Sequence, residues 1–212
     1  MDLNKLLVLL APYLPMDGMN EKGLSMAILG LETSETHQED ENKINTLCSV
    51  MIRGILDNCN DVDQAIEYMK NRNMHDFQSG YHYIISDRNK SVVIEYVGQT
   101  QNRELRILNP ESYTNSTNIY VTNFYLSDDG EAQAEGVDRY ETIENKIKEK
   151  KGKLEWGEVL DLLINVEQNT TLWTNVYNPE ELNVISAQKR IYDDLTKFDI
   201  RNPLNYSKVE KK

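Results

Sequence analysis

One stretch constrains this chain more than any other: Asp17-Gly18-Met19-Asn20-Glu21-Lys22-Gly23-Leu24, running on into Ser25-Met26-Ala27-Ile28-Leu29-Gly30-Leu31. Asp17-Gly18 is a strong turn dipeptide, because glycine reaches positive φ without steric cost. Gly23 closes the polar part. In an extended chain Leu24, Met26 and Ile28 point to one side, and Ala27 and Leu29 to the other. Both sides are apolar, so this strand needs cover on both faces, from a second sheet or a helix layer.

The segments that could supply that cover follow in order. Ile44, Leu47, Cys48, Met51, Ile52 and Ile55 have the spacing of an amphipathic helix, ended by Asn58-Cys59-Asn60. Asp61 is placed to cap a second helix, with Gln64 completing a capping box. Its stripe is Val62, Ala65, Ile66 and Met69, and it fades at Asn71-Arg72-Asn73. Tyr81–Ser86 and Ser91–Val97 are rich in aromatic and β-branched residues around the turn 87–90, and read as a hairpin. Leu105–Leu108 and Asn118–Thr122 are further strands, broken apart at Pro110.

Val137, Tyr140, Ile143 and Ile147 predict a third helix. Lysines sit in its last turns, where the helix dipole is negative, and Gly152 stops it. Trp156, Val159, Leu160, Leu163 and Val166 predict a fourth. Thr171–Tyr177 and Asn183–Ala187 read as a closing hairpin, and the tail from Asn205 as polar and frayed. Residues 32–43 read as an acidic loop. Strands and helices are therefore grouped rather than alternating, which argues an α+β fold with helices outside and sheets between. No low-complexity linker divides the 212 residues, so a single domain over 1–212 is expected.

Charge and composition narrow the function. A formal net charge of −12 repels phosphate, which excludes sequence-independent nucleic-acid binding and disfavours anionic membrane surfaces. No apolar run approaches the roughly 20 residues that span a bilayer. Leu6–Ala11 is too short for a secretory leader and lacks a small-residue cleavage site after it, so a buried strand or turn is the better reading. Two cysteines make no disulfide framework, and a reducing, cytoplasmic location is expected.

The histidines His37, His75 and His82 have no zinc-ligand spacing, and Asp57–Asp63 lacks the glycine and glutamate of a calcium loop, so no metal or cofactor is expected. There is no serine elbow and no phosphate loop. Cys48 lies on an apolar helical stripe as a core residue would, and His82 alternates with aromatics as a structural histidine would. Asn123, after a strand, could donate to a developing oxyanion or simply end the strand. Arg139, beside Asp138 at a helix start, could be functional or a surface arginine in a local ion pair.

Taken in order, several stretches resemble one family, the linear amide C–N hydrolases that include choloylglycine (conjugated bile salt) hydrolases and penicillin V acylases. They are Asp17–Leu24, Tyr81–Asp87 with Lys90–Tyr96, Val121-Thr122-Asn123-Phe124, Asp138-Arg139-Tyr140 and Leu172–Asn178. The resemblance implies an N-terminal-nucleophile (Ntn) hydrolase fold, a four-layer αββα sandwich. It implies attack on an amide carbonyl by an N-terminal cysteine whose own α-amino group is the base. By the same resemblance Asn123 helps hold the oxyanion and Arg139 is the active-site arginine. The implied substrate is a small N-acyl amide.

Two departures stand out. Gly30 takes the place of a further asparagine found in bile salt hydrolases. No cysteine occurs among the 16 residues before Asp17, so the nucleophile segment is expected to be missing from this chain and the isolated chain to be inactive. The other expectation is a non-catalytic binding or structural relative. A sheet without its first strands would leave an edge unpaired, so self-association, or pairing with the missing N-terminal segment, is expected.

Overall fold

The computed structural model describes residues 13–31, 36–76, 80–97, 104–108 and 137–211. Among them the order is four strands, two helices, four strands, two helices and four strands. The chain gathers into two compact units. Among the described residues the first holds those within 13–20, 24–86 and 92–108; the second holds 21–23, 87–91 and 137–211.

The first unit begins with β1 (Asp17–Met19) and β2 (Ser25–Leu31), an antiparallel pair around the Asp-Gly motif. With β6 (Gly80–Ser86), β7 (Ser91–Val97) and β8 (Glu104–Leu108) they make a sheet ordered β1-β2-β6-β7-β8. Two helices pack on one face, α1 (Cys48–Asn58) and α2 (Val62–Lys70). Met26, Tyr83, Ile85, Val92 and Ile94 meet Met51, Ile52, Ile55, Val62 and Met69 in one cluster. Each large apolar side chain buried there contributes about 1.5–3 kcal/mol. The opposite face is buried too: Ala27, Ile84 and Val93 on it are nearly inaccessible. The two-sided cover expected of the opening strand is thus present.

The α2 start is as read from the sequence. Asp61 Oδ1 accepts from Gln64 N at 2.9 Å, and Gln64 Oε1 reaches back to Asn60 N at 3.0 Å. The α1 start is a correction. Ile44–Thr46 is a short strand, β4, paired parallel with β5 (Arg72–Asp76), and the helix begins only at Cys48. Ile44 is 71% exposed, so its apolar spacing did not mark a buried helical face. A polar bracket holds the extended path instead: Asn73 Nδ2 donates to Asn45 Oδ1 and to Asp40 O, both at 2.9 Å. The loop reading of 32–43 also yields in part, because Thr36–His37 forms β3 against β5.

The second unit has α3 (Val137–Glu149), α4 (Trp156–Asn165) and a sheet ordered β12-β11-β10-β9. Its strands are β9 (Trp173–Asn178), β10 (Asn183–Gln188), β11 (Ile191–Asp199) and β12 (Asn202–Val209), all antiparallel. One side of α4 meets α3 through Leu162 and Val166 against Ile143 and Ile147. The other side places Leu160 on Val176, Ile185, Ala187 and Leu195 of the sheet. The tail expected to fray from Asn205 is ordered as strand up to Val209. Residues 205–209 belong to strand β12, and ladder bonds to β11 hold them although most of their side chains are exposed. Residues 6–11 and 118–122, both read as strand candidates, lie outside the described residues.

Candidate functional site

The Asp-Gly motif is built as a bracket. The buried Asn20 side chain donates from Nδ2 to Leu56 O at 3.0 Å and to Cys59 O at 2.8 Å, and its Oδ1 accepts from Leu24 N at 3.1 Å. One carboxamide thus satisfies carbonyls at the end of α1, which helices leave open, and also closes the β1–β2 turn. Asp17-Gly18 is not the turn its sequence suggested: both residues lie in β1, and of the two motif glycines only Gly23 has positive φ. Gly18 instead lets the strand approach α1, since a Cβ there would stand 2.8 Å from Leu56 Cδ1. Gly23 takes φ +83°, which an L side chain adopts only with strain. The motif positions elements and presents no reactive group.

Arg139 lies in the first turn of α3, half-buried. Gln168, with its carboxamide oxygen turned toward Arg139, accepts from both terminal guanidinium nitrogens. The flanking residues of that loop are held as well. Arg190 Nη1 donates to Asn169 Oδ1 at 3.1 Å, and Tyr192 Oη donates to Glu167 Oε2 at 2.5 Å. Burial, and then the bond to Glu167, pushes the Tyr192 phenol above its ordinary pKa. Lys189 and Arg190 form the two-residue β10–β11 turn with φ of 51° and 59°. That is the twist a hairpin prefers, on residues other than the usual asparagine and glycine. Sequence reasoning found Arg139 but not the residues around its loop. Gln168 and Arg190 sit in polar turns and carried no pattern to read.

Asn123 lies outside the described residues, so the structure does not bring it together with Arg139. Cys59 is not prepared as a nucleophile. Burial, then the Asp61 charge, raises the Cys59 thiol above its ordinary pKa, which disfavours the thiolate. Cys48 begins α1 and contacts Ser49 Oγ at 3.7 Å. Among the described residues no cluster of His, Cys, Asp and Glu is placed to hold a metal, and no helix is long and apolar enough to cross a membrane. A hollow of about 520 Å³ in the second unit is lined by Glu181, Asn183, Lys197 and Asp199 among others. Four of its five charged residues pair, Lys197 with Glu181 at 3.3 Å and Arg201 with Asp199 at 2.9 Å.

Residues 15–190 match the family model described as acyl-coenzyme A:6-aminopenicillanic acid acyl-transferase. The chain belongs to this family. The match begins just before the Asp-Gly motif and encloses Asn123 and Arg139. No curated protein sequence matches the chain. Solved structures similar to it include two variants of conjugated bile acid hydrolase from Clostridium perfringens. Both are 20% identical and aligned over 93% of this chain and 77% of theirs, with TM-scores of 0.61 and 0.62. Penicillin V acylase from Agrobacterium tumefaciens is 16% identical over 90% of this chain and 67% of its own, with a TM-score of 0.63. At such identities the likeness establishes a shared fold. The resemblance to the choloylglycine hydrolase and penicillin V acylase group is borne out. At the level of the family the likeness supports amide hydrolysis.

Proposed function

We propose that this chain forms the body of a linear amide C–N hydrolase acting on small N-acyl amides, and that the attacking cysteine is not one of its 212 residues. The observation that supports this reading is the family match over 15–190, a range that includes residues 123 and 139. In this reading Asn123 donates to the tetrahedral oxyanion. Arg139, steadied by Gln168, orients the nucleophile end of the site or an anionic part of the substrate. The internal positions of Cys48 and Cys59 and the raised thiol of Cys59 support a nucleophile from elsewhere. The four-layer αββα arrangement stays part of the proposal; each unit by itself supplies a helix layer on a sheet.

The test is complementation. The 212-residue chain alone hydrolyses neither penicillin V nor glycine-conjugated bile salts. Supplied with a family segment that carries an N-terminal cysteine, it gains turnover, and Asn123→Ala then lowers kcat by about 10²–10³-fold. Turnover that is indifferent to Asn123→Ala and Arg139→Ala removes those two residues from the mechanism. The raised thiol of Cys59 also favours a second reading, a non-catalytic relative. Absence of turnover in every pairing supports that one and sinks the hydrolase.

A further inference from the structure

His82 on β6 and Glu95 on β7 are both completely buried, on the face of the first sheet turned away from α1 and α2. Nδ1 of His82 stands 3.4 Å from Oε1 of Glu95. Among the described residues neither ring nitrogen and neither carboxylate oxygen has a hydrogen-bond partner. A buried ion pair is tolerated only where further bonds satisfy its remaining atoms. Here nothing satisfies Nε2 or Oε2. A neutral carboxylic acid facing a neutral imidazole leaves no charge to solvate.

We propose that His82 and Glu95 form a buried one-proton pair, uncharged in each member, that sets both the acid and the alkaline limit of the first unit's stability. The other titratable or charged groups on that face of the sheet are Asp17 of β1 and Glu104 and Arg106 of β8, while the described residues of β2 and β6 add none. Arg106 stands opposite Glu95 in the ladder, is exposed, and lowers the Glu95 pKa less than burial raises it. Burial pushes Glu95 up to about 7 from 4.5, and His82 down to about 3 from 6.5.

The direction of each limb follows. Glu95, raised on folding, contributes stability fully present below pH 4.5 and lost as pH rises through about 7. His82, lowered on folding, contributes stability fully present above pH 6.5 and lost as pH falls toward 3. Between pH 4.5 and 6.5 the folded pair and the unfolded chain each hold one proton, so the two slopes cancel. Below 4.5 folding weakens because His82 resists taking a proton, and above 6.5 because Glu95 resists losing one.

The thermal midpoint of the chain followed by circular dichroism from pH 3 to 8.5 tests this. Glu95→Gln leaves only the histidine limb, so the onset of acid destabilisation moves up by about two pH units. His82→Gln leaves only the glutamate limb, so the alkaline onset moves down by about two. Onsets that stay where the parent has them overturn the pair. If a variant does not fold, the parent protein still decides. At pH 5.5 its infrared spectrum is expected to show a buried protonated carboxyl, and its nitrogen shifts a neutral His82 ring. A doubly protonated His82 ring at that pH refutes the proposal.

Discussion

Met51, Ile52, Ile55, Met69, Tyr83 and Ile94 of the first unit are sealed from solvent on a sheet buried on both faces. The second unit's sheet core closes around Leu160, Ile185, Ala187 and Leu195 and then runs out into half-buried neighbours such as Val159, Leu163 and Tyr192. The backbones differ as well. Among the described residues every non-glycine position with positive φ (Lys151, Leu182, Lys189 and Arg190) belongs to the second unit. Two of them form the turn that holds the loop next to Arg139. Backbone strain persists where surrounding structure over-determines it, and it gathers at functional sites. The first unit is thus a scaffold in which local preference and packing agree. The second sacrifices some of that agreement around its candidate cation.

The largest effect should come from deleting core volume in each. Ile52→Ala is expected to cost near the top of about 2–5 kcal/mol, because the surrounding side chains have nowhere to relax. Ile185→Ala belongs near the bottom of that range, since its neighbours are partly open to solvent and can shift. Urea denaturation of both variants reads the difference. Equal costs would break the contrast between the two cores.

A smaller effect sharpens the scaffold side. Asn20→Ala strands Leu24 N and removes the donor from Leu56 O and Cys59 O. Leaving buried groups unpaired costs about 1–3 kcal/mol. Asn20→Asp should cost more than the alanine, because it turns a second oxygen toward two carbonyls. If the aspartate variant is the more stable of the two by urea midpoint, Asn20 is not the bracket described here.

What could be read from the sequence follows the same division. The helix stripes through Met51–Ile55 and Val62–Met69 and the strands Tyr81–Ser86 and Ser91–Val97 were legible, because burial imposes a period on them. The Asp61–Gln64 cap was legible because one side chain closes it locally. Ile44–Thr46 was misread because its apolar Ile44 is exposed and long-range bonds to Asn73 fix its path. β11 and β12 escaped because their outward residues are mostly polar, and ladder pairing needs no pattern of its own. In the candidate site Arg139 was found only through its motif. The charged Glu95 inside the run Val92–Val97 was the one visible hint of the buried pair, and spacing alone does not say which histidine faces it.

The smallest expected effect concerns the end of α3, where the sequence pointed to Gly152 as the stop. The chain turns one residue earlier. Lys151 takes φ +52° and Gly152 φ +74°, with Gly152 N donating to Ile147 O at 2.9 Å and Lys151 N to Lys148 O at 3.1 Å. This is the paired-bond helix ending in which glycine normally occupies the left-handed position. Here a lysine occupies it, at the cost of crowding its Cβ against the backbone. The Lys151 side chain is exposed, so its removal gives up no packing. Lys151→Gly should therefore raise stability, by about 0.5–1 kcal/mol after the added freedom of the unfolded chain is counted. The same change at Lys148, inside the helix, should lower stability by a similar amount. Opposite signs at positions three residues apart, read as urea midpoints, would tie the second unit's positive-φ residues to real strain. A loss at both would mean that the Lys151 conformation carries none.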